Sequence, residues 1–118
     1  MDYETLRNCF VAVFEHYKTS ERKIFVIHDL QNDLKDFVEF LEHNKENKEW
    51  HISYNGLAFD AQVTHHIMNN AQLWENMSGC AIGEAIYAFA QETIARQNRR
   101  EFGVYAPWHM TIGQIDLF

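Results

Sequence analysis

The pattern of hydrophobic and polar positions opens on strands and turns to helices later. Residues 9–17 are rich in β-branched and aromatic types and read as a strand. Lys18-Thr19-Ser20-Glu21 is a polar turn, and residues 23–28 repeat the strand signature, so the two predict a hairpin. With residues 2–6 as a first strand, the opening becomes a three-stranded meander. Leu34, Phe37, Val38 and Leu41 then recur at helical spacing, with Asp29 or Asn32 as the expected cap and Asp33 and Asp36 in the first turns. Residues 50–54 read as a short strand stopped by Asn55-Gly56. Phe59, Val63 and Ile67 predict a second helix ending near Asn69-Asn70, with a connection over residues 71–79. Ile82, Ile86, Phe89 and Thr93 predict a longer amphipathic helix that gives out in the basic run around Arg99. Pro107 starts a last segment leading to a strand over residues 112–118. The order β-β-β-α-β-α-α-β implies an α/β fold with a mixed sheet and helices packed on it.

Length and composition support one domain. The chain has 118 residues, of which 47% are apolar, with one proline and five glycines, so it holds a real core and no flexible linker. Both ends look cut: Asp2 follows Met1 with no strand residues before it, and the chain stops on an apolar, strand-like segment. The domain is therefore expected to be part of a longer chain. Two cysteines, no signal peptide and no apolar run of membrane length point to a reduced cytoplasmic setting without a membrane partner.

A formal net charge of −7 argues against a general nucleic-acid binder, which needs a basic face. It leaves room for a nuclease, whose carboxylate site is negative by construction and is compensated by divalent cations. The clusters Arg96, Arg99, Arg100 and Arg22, Lys23 read as solvated faces. His65 and His66 are neighbours on a helix, so their side chains diverge and cannot easily share one metal.

Two segments carry candidate chemistry. In a strand, Asp2 and Glu4 project side by side, and hard cations such as Mg²⁺ or Mn²⁺ relieve the repulsion of such pairs. Asp60 follows an apolar strand and Asn55-Gly56, at the start of a helix, where sites in α/β folds often lie. Taken singly, each suits an ordinary acidic strand end or a first helical turn equally well. In order, Asp2-Tyr3-Glu4-Thr5 and Asn55-Gly56-Leu57-Ala58-Phe59-Asp60 resemble the first two motifs of the DEDD superfamily of 3′–5′ exonucleases, most of all those of phage-type DNA polymerases. Ile115-Asp116-Leu117-Phe118 is similar to a later apolar Asp-Leu strand of that family.

The resemblance implies an RNase H-like fold and a proofreading 3′–5′ exonuclease acting on an unpaired DNA 3′ end, with an attached polymerase as partner and, for a phage protein, the bacterial cytoplasm as its setting. It implies two divalent ions about 3.5–4 Å apart, with Asp2, Glu4 and Asp60 as their ligands. It also implies that Asn55 and Phe59 shape the pocket of the terminal nucleotide, and that Thr5 and Leu6 contact that nucleotide. The family's third motif, Tyr or His followed by Asp on a late helix, has no counterpart after Asp60; His28 and Asp33 match its spacing but precede the second motif. An alternative is therefore a catalytically incomplete domain of the same fold that binds nucleic acid or protein. The sequence leaves the oligomeric state open.

Overall fold

The structure is a computed structural model that describes residues 1–53 and 59–117. Three antiparallel strands, β1 (Asp2–Leu6), β2 (Cys9–Glu15) and β3 (Arg22–His28), form the expected meander, and a two-residue strand β4 (Gln31–Asn32) extends its edge. Helix α1 (Leu34–Glu46) leads to β5 (Trp50–Ser53), followed by α2 (Asp60–Trp74) and α3 (Gly79–Asn98). A 3₁₀ turn over Pro107–His109 precedes β6 (Gly113–Asp116), which pairs in parallel with β5. The Met1 amine donates to the Ile52 carbonyl at 3.0 Å, which places β5 alongside the start of β1. The architecture is α/β with three helices, as the pattern predicts, but among the described residues the strands form an antiparallel sheet of four and a parallel pair, where the pattern predicts one mixed sheet.

Alternation builds the core. Phe10, Ala12 and Phe14 of β2 and Phe25 and Ile27 of β3 face the helices, while the residues between them point away. Phe37 of α1 sits at the centre with no exposure, its ring 5.1 Å from Phe25, 5.7 Å from Phe10 and 6.0 Å from Tyr3. Ile67 of α2 and Ile82, Ile86 and Ala90 of α3 join the same cluster. Glycine is required where α3 crosses the sheet end: a Cβ on Gly83 would strike the backbone of Asn8 and Cys9, and one on Gly79 the backbone of His28.

Several boundaries differ from the sequence reading. Helix α2 continues past Asn70 to Trp74, because the Asn70 amide donates back to the His66 carbonyl and Trp74 buries against the core. Neither expected cap of α1 is the N-cap. That residue is Asp33, whose carboxylate accepts instead from the Val26 amide and the Gln31 side chain. Asn32 still accepts from the Leu34 amide at 3.2 Å. Asp29 reaches across the fold and accepts from the Cys80 amide in the first turn of α3.

The N-cap of α3 is Ser78, whose hydroxyl accepts from the Ala81 amide at 3.2 Å. Ser78→Ala is expected to cost about 1 kcal/mol, read as a shift in the urea unfolding midpoint without a change in slope. An unchanged midpoint would show that the Asp29 contact caps the helix alone. Among the described residues no helix is long and apolar enough to cross a membrane.

Candidate active site

Asp2 and Glu4 lie on the face of β1 opposite Tyr3, both exposed, as strand alternation requires. Tyr3 points the other way, is buried, and shares a hydrogen bond with Thr64 of α2 at 2.5 Å. That bond ties β1 to the helix whose first residue is Asp60. Burial pushes the Tyr3 hydroxyl well above its ordinary pKa, and the nearby Asp60 charge adds to the effect.

Asp60 is 8% exposed, and its pKa is raised from 3.8 to about 6. Burial is the main cause, and the like charges of Asp2 and Asp116 raise it further. A hydrogen bond from Ser53 and the charge of the Met1 amine oppose the shift. Ser53 is itself held: the Gln114 amide donates to its hydroxyl at 2.8 Å. The parallel register of β5 and β6 sets Ser53 opposite Asp116, and the Leu117 amide donates to the Ser53 carbonyl at 3.0 Å. Two chain segments far apart in sequence thus converge on one buried carboxylate.

The other site residues of the sequence reading fall as follows. Phe59 is half-buried against the core beside Asp60. Thr5 is half-buried on the Tyr3 face, while Leu6 is 55% exposed on the face of Asp2 and Glu4, so the two diverge. Asn55 lies outside the described residues. Ser53, Gln114 and Asp116 enter the surroundings of Asp60 only through the β5–β6 pairing. The one trace of this in the sequence is an acid within the apolar run Ile115-Asp116-Leu117.

The donor chemistry fits a hard divalent cation. All the candidate groups are carboxylates, and the charges of Asp2 and Asp116 add to burial in disfavouring ionisation of Asp60, while Glu4 takes no part. Yet among the described residues no three acidic, histidine or cysteine side chains converge into a ready cage. The fit is therefore to an ion anchored by one or two carboxylates that keeps several waters, the usual habit of Mg²⁺.

His65 and His66 diverge as expected, each with its own partners. His65 is buried, with Nδ1 bonded to the Ala61 carbonyl at 2.7 Å and Nε2 accepting from the Thr111 amide at 2.9 Å, while His66 stacks on Phe89. A cavity of about 340 Å³ beside His65, lined also by Lys45, Asn69, Tyr105 and His109, contains none of the predicted site residues. Of the basic residues, Arg96 and Arg99 pair with Glu92, and Arg99 also with Glu101. No family model, no curated protein and no solved structure matches the chain.

Proposed function

We propose that the chain is the core of an RNase H-like, metal-dependent 3′–5′ exonuclease domain. The observation that carries this reading is Asp60, a carboxylate buried at a helix start and held near pH 6 by its surroundings, with Asp2 and Asp116 as charged neighbours. A carboxylate buried in that position among like charges costs stability, and strongly shifted groups of this kind cluster at functional sites. The antiparallel meander, the helix after it and the parallel pair placed beside β1 by Met1 support the fold assignment.

In this reading Asp2, Glu4 and Asp60 hold the cations. When bound, two divalent ions would neutralise charge on the scissile phosphate and lower the pKa of water. Ser53, held by Gln114, fixes the Asp60 carboxylate, and Phe59 gives the terminal nucleotide an apolar wall. The exposed strand edge at Asp2 and Glu4 is open to a single-stranded 3′ end, and a polymerase is the partner that would deliver it. The absence of a ready three-ligand cage among the described residues favours, as a second reading, a domain of the same fold that binds without cutting.

Digestion of a 3′-labelled single strand with Mn²⁺ separates the two. Stepwise shortening that needs both Mn²⁺ and Asp2, and is lost in Asp2→Ala, is expected for the exonuclease. Shortening that persists in Asp2→Ala would overturn the assignment of the site. No shortening by the wild-type chain would favour the binding module.

A further inference from the structure

The sheet has a second face, turned away from the helices. Away from the helices β2 presents Cys9, Val11 and Val13, all half-buried. On that side β3 presents Val26, half-buried, and Ile24, which is 56% exposed. The register pairs Val11 with Val26 and Val13 with Ile24, so these four side chains form one aliphatic block two strands wide. An antiparallel sheet that meets water alternates apolar inside with polar outside. Here the middle of the outward face is aliphatic too, with the Glu15–Arg22 ion pair beyond it at one end and His28 at the other. Along one border stand Asp2, paired with Val13, and Glu4, paired with Val11. Among the described residues neither carboxylate is in an ion pair.

We infer that this face docks an amphipathic α-helix of a protein partner, with aliphatic side chains on Val11, Val13, Ile24 and Val26 and lysine or arginine side chains along Asp2 and Glu4. The charge selects the occupant. A second copy of the chain would bring its own −7 net charge and its own acidic border against this one. Nucleic acid laid over the block would find no aromatic ring among its four side chains and no cation along its acidic border. A basic helix satisfies both the block and the border. The dimensions agree: Cys9 to Glu15 spans roughly 20 Å of strand, the length of a helix of about 14 residues. The inference does not rest on the nuclease reading and competes with it at this border: a helix seated on Asp2 and Glu4 would exclude cations and a 3′ end from them.

The test uses the full chain in EDTA, so that no divalent ion screens Asp2 or Glu4. The probe is a fluorescein-labelled amphipathic helix of about 14 residues built from leucine and lysine, followed by anisotropy. Ile24→Asn is expected to weaken its binding about tenfold, which is the loss of one buried aliphatic side chain. Glu4→Gln should weaken binding and flatten its salt dependence. Leu73→Asn, at a 77% exposed position on α2, should leave binding unchanged. A leucine–glutamate helix should bind much more weakly. Equal binding by Ile24→Asn and wild type, or by the two peptides, would overturn the inference. So would self-association of the chain, seen by sedimentation and removed by Ile24→Asn, since that makes a second copy the occupant.

Discussion

Asp60→Asn is expected to make the metal-free protein more stable at pH 8, while removing the metal response that the exonuclease reading requires. The sign follows from the direction of the shift. The folded-state pKa of Asp60 is raised from 3.8 to about 6, so the folded protein holds this proton more tightly than the unfolded chain. Its contribution is favourable below the unfolded value of 3.8 and is lost as the pH rises through 6. At pH 8 the ionised carboxylate then costs up to about 3 kcal/mol relative to a neutral group in its place. Asparagine keeps an acceptor for Ser53 but forfeits the attraction of a charge at the start of α2, worth about 0.3–1 kcal/mol. The burial cost is the larger, and a net gain of about 2 kcal/mol remains, or roughly 5–10 °C in Tm.

Below pH 4 Asp60 is protonated and the advantage should vanish. Mn²⁺ should raise the Tm of the wild type and leave that of Asp60→Asn unmoved. Destabilisation by Asp60→Asn at pH 8 would refute the burial argument. An equal Mn²⁺ response in both proteins would refute Asp60 as a ligand.

What could be read from the sequence was what depends on neighbours a few residues apart. Alternation in Phe10, Ala12 and Phe14 marked the inner face of β2, and the spacing of Leu34, Phe37 and Leu41 marked the buried side of α1. The side-by-side placement of Asp2 and Glu4 and the helix-start position of Asp60 were legible for the same reason. Contacts that depend on strand register were not. Nothing local announces that Ser53 faces Asp116, or that Gln114 holds Ser53. The same holds for Asp29: beside a helix it reads as that helix's cap, yet it serves the first turn of α3, 51 residues on. Asn69-Asn70 read as a stop, but tertiary burial of Trp74 outweighs the weak helix propensity of asparagine.

The acid side of the stability profile rests on His51 and sets a second large effect against the first. His51 on β5 is 5% exposed, bonded to Asn44 of α1 at 3.0 Å and in edge contact with Phe14. Among the described residues its buried Nδ1 has no hydrogen-bond partner. Burial lowers its pKa from 6.5 to about 4, helped by the Met1 amine and by His65. The neutral folded form is therefore fully favourable above 6.5, and up to about 3 kcal/mol is lost as the pH falls from there to 4. His65 and His66, also lowered by burial, add to the loss. Over nearly the same interval Asp60 contributes the opposite slope, gaining stability as the pH falls from 6 to 3.8. The wild-type profile between pH 4 and 6.5 should accordingly fall less steeply on acidification than the histidines alone would make it, because Asp60 opposes them.

Single substitutions would expose each term. Asp60→Asn should lose stability steeply on acidification, by about 1 kcal/mol per pH unit. His51→Gln, which keeps a polar partner for Asn44, should fall less steeply than the wild type or rise on acidification. Urea unfolding at half-unit pH steps reads both slopes. If the two variants track the wild type in parallel across that interval, neither buried group titrates in the folded protein as its surroundings require.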